Sequence, residues 1–130
     1  MSSPAIRPGA EPGRDRIELR GLRALGTHGV LVEEQGRAQP FEVDLDVEAD
    51  LRAAGRSDRL ADTIDYGELA ERVAAVISGE RHALLERLAE RIAETALQDR
   101  RVTSVTVTLR KVRPPVPLDL ASAGVRVVRP

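Results

Sequence analysis

The sequence predicts an α+β domain of ββααββ order, in which a four-stranded, mostly antiparallel sheet has two helices on one face. Residues 41–51 alternate without a break: Phe41, Val43, Leu45, Val47, Ala49 and Leu51 on one side, Glu42, Asp44, Asp46, Glu48 and Asp50 on the other. That is the period of a strand with one packed and one wet face. Residues 103–111 alternate in the same way, with Val105, Val107 and Leu109 set against Thr106, Thr108 and Arg110. Between these runs apolar residues recur at helical spacing, and a sheet with one apolar face needs such a cover.

Taken in order, residues 1–15 hold Pro4, Pro8, Gly9, Pro12 and Gly13 and read as a flexible tail, leaving residues 16–130 as the domain. The tail contains no apolar run of the secretory kind, so the expected location is the cytoplasm. Ile17 and Leu19 alternate with Glu18 and Arg20, which makes residues 16–25 the first strand, ended by Gly26-Thr27-His28-Gly29. Residues 30–39 lack a clean period and read as a loop. The acidic side of the second strand can be matched by Arg20 and Arg126 on neighbouring strands.

Residues 52–65 read as a connection. Asp65 and Glu68 then stand at capping-box spacing, and Leu69, Val73, Val76 and Ile77 form a helical stripe that ends near Gly79. Tyr66 falls in the first turn of that helix. A second helix is expected over residues 82–98, with Leu85, Leu88, Ala89, Ile92, Ala93, Ala96 and Leu97 on its apolar side and Glu86 near its start, where the helix dipole favours a carboxylate. The strand at 103–111 runs into Pro114-Pro115-Val116-Pro117, which cannot continue a central ladder. Ala123, Val125 and Val127 mark the last strand.

Composition narrows the chemistry. A chain of 130 residues with 42% hydrophobic and 32% charged residues fits one soluble globular domain with no membrane span. A formal net charge of −1 gives no field that would gather nucleic acid or an anionic membrane. With no cysteine there are no disulfides, thiolate nucleophiles or cysteine-based zinc sites, and two histidines, His28 and His82, are too few for a three-histidine site. No metal and no cofactor are expected.

Of the 20 Lys+Arg residues, 19 are arginine and one is Lys111. Lys111 continues the parity of Val105, Val107 and Leu109, so it leaves its strand on the core side. Lysine can carry protons in catalysis where arginine stays charged. Taken alone, a lone lysine with a snorkelling stem accounts for the position more simply.

Four separated motifs, in order, change that weighting. They are Gly26-Thr27-His28-Gly29-Val30 followed by Glu34; Asp62-Thr63-Ile64-Asp65-Tyr66; Leu84-Leu85-Glu86-Arg87-Leu88-Ala89-Glu90; and Lys111 with Pro114-Pro115-Val116-Pro117. Across residues 15–129 the chain resembles the dihydroneopterin aldolases of the folate pathway. The resemblance implies the tunnelling fold, in which ββααββ subunits join edge to edge into an oligomeric barrel, as a tetramer or a stacked homo-octamer. It also implies a metal-independent lyase that acts on a small pterin, with no nucleic-acid or membrane partner.

Carried over residue by residue, the resemblance implies that Glu86 anchors the pterin by accepting hydrogen bonds from its amino group and ring N–H. Groups around Leu85, Thr63, Ile64 and Asp65 would complete the ring contacts. Tyr66 would reach over from an adjacent subunit, and Lys111 and Glu34 would handle protons, with Tyr66 assisting. Glu33 adjoins Glu34, and only one of the two is expected to face the pocket. His28 reads as structural and His82 as a residue leading into the second helix. The alternatives are a dihydroneopterin triphosphate epimerase of the same core and a pterin-binding module without catalysis. Zinc-dependent relatives of the fold are disfavoured by the missing cysteines and unmatched histidines. Epimerisation at C2′ and oxidation by O2 are further activities of the family.

Overall fold

A computed structural model describes residues 15–130. The expected tail, apart from Asp15, lies outside the described residues. Asp15 is tied to the residues just after the second strand, which ends at Glu48, short of the alternation that runs on to Leu51: its carbonyl accepts the N–H of Ala49 and its carboxylate that of Leu51.

Four strands form one antiparallel sheet in the order β1 (Arg16–Gly26), β2 (Gln39–Glu48), β3 (Ser104–Lys111) and β4 (Ala123–Arg129). The alternation seen in the sequence becomes alternation in burial. Phe41, Val43, Leu45 and Val47 of β2 and Val105, Val107 and Leu109 of β3 are fully buried on one face. Each such side chain contributes about 1.5–3 kcal/mol by leaving water, so a one-residue slip in register would turn the whole set outward.

Two long helices cover that face. Helix α3 (Tyr66–Gly79) packs over β1 and buries Leu69, Val73, Val76 and Ile77. Helix α4 (Leu85–Leu97) packs over β3 and β4 and buries Leu88, Ala89, Ile92, Ala93 and Ala96. Asp65 caps α3, its carboxylate accepting the N–H of Glu68 at 3.1 Å.

Two connections hold more structure than the sequence predicts. Residues 30–39 include a one-turn helix, α1 (Val32–Gln35), and residues 52–65 include α2 (Arg52–Ser57) and a 3₁₀ turn (Leu60–Asp62). All are too short to show a period, which is why their sequence reads as loop. Helix α4 starts at Leu85 instead of near His82, because the His82 carbonyl, which would accept the Glu86 N–H in a longer helix, instead accepts the Gly29 N–H.

The opposite sheet face is polar. Arg20 meets Asp46 at 2.6 Å, as its position predicts, and Arg110 meets Asp44 at 3.1 Å. Arg126 instead lies on β4 opposite Thr108, one strand removed from the acidic row that Arg110 serves. A bulge interrupts β1 between Leu19 and Leu22, where Gly21 takes φ +69° and donates its N–H to Asp44. Among the described residues β1 and β4 each pair on one side only, which leaves both sheet edges open there. Among the described residues no helix is long and apolar enough to cross a membrane.

Candidate active site

Lys111 is the last residue of β3, opposite Phe41 on β2, and its side chain follows the buried parity. It is 9% exposed, and its Nζ lies 2.7 Å from Oε2 of Glu34, which is 7% exposed. Of the two neighbouring glutamates, Glu34 turns inward and Glu33 stays in solvent. The turn of α1 makes this geometry. The Glu34 N–H donates to the Leu31 carbonyl at 3.0 Å, and Glu34 Oε1 accepts the Leu31 N–H at 3.3 Å.

Gln39, at the start of β2, donates to the same Oε2 at 3.3 Å and to the His28 carbonyl at 3.2 Å. Burial alone would raise the pKa of Glu34. The donors Lys111, Gln39 and the Leu31 amide outweigh it and hold the carboxyl below its ordinary 4.5. Gly29 leaves room for this arrangement: it takes φ +153°, and a Cβ built there would run into the Glu34 carboxyl group. Beside the pair opens a pocket of about 320 Å³ lined by Glu33, Glu34, Arg37, Gln39, Arg113 and Pro115. Gln39 is the residue missed in the sequence, where a lone amide at the mouth of a strand carries no signal.

The α4 start is tied to the same end of the molecule. His82 receives the Gly29 N–H on its carbonyl at 3.1 Å and gives its own N–H to Nδ1 of His28 at 3.0 Å. Its ring bonds Glu80 at 2.8 Å, and Glu80 is also held by Arg91. Arg91 first, and His82 second, bring the Glu80 carboxyl down to about 2. Leu85 and Glu86 then open α4. No side chain caps this helix, Glu86 is exposed, and its carboxylate makes no hydrogen bond or ion pair among the described residues. It is free to accept from a ligand.

Thr63, Ile64 and Tyr66 lie elsewhere. With Ile17, Leu19 and Leu60 they line a separate cleft of about 630 Å³ against the first half of β1. Ile64 is buried, whereas Tyr66 is 63% exposed. The sheet register shows the separation. Ile17 and Leu19 align through β2 with Val105 and Val107 on β3, whereas Lys111 aligns with Phe41 and Ala24. Four to six residues of strand separate the two places, about 13–20 Å. One chain therefore brings together Glu34 and Lys111, ties the Leu85–Glu86 turn to their loop, and keeps Thr63, Ile64 and Tyr66 at the other end of the strands.

The fold and sequence have known relatives. The family model for dihydroneopterin aldolase (FolB) matches residues 17–128. A dihydroneopterin aldolase of Streptomyces coelicolor is 42% identical over 115 residues, covering 88% of this chain and 97% of that protein. One from Staphylococcus epidermidis is 40% identical over 116 residues, covering 88% and 96%. Among solved structures, the E. coli dihydroneopterin aldolase in complex with neopterin superposes with a TM-score of 0.82 at 34% identity, covering 89% of this chain and 99% of that one. With the fold matched end to end and the family pattern spanning almost every described residue, the chain belongs to the dihydroneopterin aldolase family.

Proposed function

We propose that Glu34 and Lys111 are the proton-handling pair of the reaction this family catalyses. The chain is an aldolase of folate biosynthesis, a carbon–carbon lyase that splits 7,8-dihydroneopterin into 6-hydroxymethyl-7,8-dihydropterin and glycolaldehyde. The observation that carries the role assignment is the buried 2.7 Å contact between the only lysine of the sequence and an inward-turned glutamate.

The substrate explains why so little equipment is needed. Its C6=N5 imine adjoins the trihydroxypropyl chain and accepts the electrons released when C1′–C2′ breaks. A base takes the 2′-hydroxyl proton, glycolaldehyde leaves, and the resulting enamine is protonated at C1′. Other aldolases obtain that electron sink from a lysine Schiff base or a zinc ion. Lys111 can then act through water as a proton carrier with no covalent step, while Glu34 and Gln39 hold its position.

Glu86, free in the first turn of α4, would accept the paired N–H donors of the pterin edge, with the Leu85 backbone beside it. Thr63, Ile64 and Tyr66 would come from a neighbouring copy. The open edges of β1 and β4 and the 13–20 Å separation within one chain, about four to six strand residues, support an edge-to-edge barrel of tunnelling-fold type, as a tetramer or octamer. A small polar metabolite as substrate fits a cytoplasmic enzyme, which is where we place it.

The test is to incubate EDTA-treated protein with 7,8-dihydroneopterin under low oxygen and separate the products by HPLC. Release of 6-hydroxymethyl-7,8-dihydropterin with glycolaldehyde is the expected result. Formation of the C2′ epimer alone would favour the epimerase. Pterin binding without turnover would leave a binding module.

A further inference from the structure

His28 has no part in the chemistry above, yet it is among the most constrained side chains of the molecule. It is 1% exposed, and both ring nitrogens are engaged. Nε2 lies 2.6 Å from the Ile77 carbonyl, and Nδ1 lies 3.0 Å from the His82 amide. An amide N–H can only donate and a carbonyl can only accept, so the ring is neutral with its proton on Nε2. The ring also meets Phe41 edge-on at 5.2 Å and stacks on the His82 ring at 5.7 Å.

These contacts join three places: the last turn of α3 through Ile77, the segment leading into α4 through His82, and the start of β2 through Gln39 and Phe41. Glu34 lies six residues beyond His28, and Glu86 four residues beyond His82. The two carboxylates therefore sit on separate segments whose junction is the His28–His82 bond, reinforced by the Gly29 N–H on the His82 carbonyl.

We infer that His28 is a positioning residue for the aldolase reaction: by accepting the His82 amide on Nδ1, it sets the first turn of α4, with Glu86, against the loop that holds Glu34 to Lys111. This rests on the roles proposed above for Glu34 and Glu86. A pterin anchored on Glu86 presents its side chain to Lys111 only if the two segments keep their spacing, and a displacement near 1 Å costs on the order of 100-fold in rate.

Three substitutions separate the bonds from the packing. His28→Asn keeps an acceptor near the Nδ1 position, His28→Gln keeps a donor near Nε2 without that acceptor, and His28→Phe keeps a ring with neither. Turnover of 7,8-dihydroneopterin per folded chain and binding of neopterin are measured well below each variant's melting temperature. The Gln and Phe variants are expected to lose both turnover and affinity, on the order of 10- to 100-fold, while Asn stays close to the native enzyme. A Phe variant with native turnover and only a lowered melting temperature would overturn the inference, as would Gln outperforming Asn. Should the Phe variant not fold, the order of Asn and Gln decides alone. Glu34→Gln, run in parallel, tests the underlying role assignment: native turnover there would remove the proton role whatever the His28 series shows.

Discussion

The two ends of the sheet hold their polar groups in opposite ways. At the Lys111 end the carboxylate of Glu34 is enclosed and takes three donors from its own chain, and among the described residues no buried side-chain nitrogen or oxygen lacks a partner. At the Tyr66 end the phenol stands in solvent over an open cleft. The first region is organised before any ligand arrives and the second is left unfinished. In the proposed assembly a single chain would set the proton-transfer geometry, and a neighbour would close the site over the pterin.

The sharpest way to break this contrast is Lys111→Met, which keeps the apolar stem and removes the amine. Turnover is expected to fall by about 100-fold or more, with pterin affinity nearly unchanged. Stability should also drop, by about 3 kcal/mol, since Glu34 would lose its partner in a buried setting. Urea unfolding of this variant beside Lys111→Met with Glu34→Gln checks the second part, because removing both charges should cost less than removing one. Native turnover would place the chemistry elsewhere.

Tyr66 tests the other side. Tyr66→Ala should leave the melting curve almost unmoved, within about 0.5 kcal/mol for an exposed side chain, yet impair turnover. Co-assembling Tyr66→Ala chains with Lys111→Met chains should restore about a quarter of native activity, the share of interfaces that join two intact halves in a ring assembled at random. Mixtures with no recovery would show that each chain closes its own site. Between these regions, Glu86→Ala should weaken pterin binding by about 1–3 kcal/mol with little effect on folding, as read by titration calorimetry.

A smaller effect concerns pH. Burial, the dominant influence, pushes the His28 pKa below its ordinary 6.5, and the hydrogen bonds at Glu34 hold it below 4.5. In both cases the unfolded chain binds a proton that the folded chain refuses, so stability is fully present above the unfolded value and is lost as pH falls through the folded one. Melting temperature should therefore decline in two stages, first below pH 6.5 and again below pH 4.5. His28→Asn should abolish the first stage and leave the second. A first stage that persists in that variant would assign it to another group.

Much of the fold was legible because the strands are half-buried. Period-2 alternation is a direct print of one packed face, and the same parity placed Lys111 on the core side before any coordinates. The contact between Lys111 and Glu34 was not legible in that way, since 77 residues separate them and the one-turn helix that points Glu34 inward has no period. Resemblance supplied Glu34, while geometry distinguished it from Glu33. Helix α4 starts three residues later than its sequence suggests because the His82 carbonyl is claimed from across the fold by the Gly29 N–H and Leu84 offers no capping side chain. Gln39 was invisible for a related reason: its value lies in reaching two acceptors on another segment.

That the sequence contains one lysine among twenty basic residues also makes the protein selectively addressable. Guanidinium groups do not react with amine-directed acylating reagents at neutral pH, so Lys111 is the only side-chain amine such a reagent can modify. Its slow, buried labelling would read out site occupancy as one mass increment on the peptide that contains it, apart from the α-amino group of the chain. A bound pterin should protect it, and a loosened Glu34 loop should expose it, which turns an accident of composition into a built-in probe of the site.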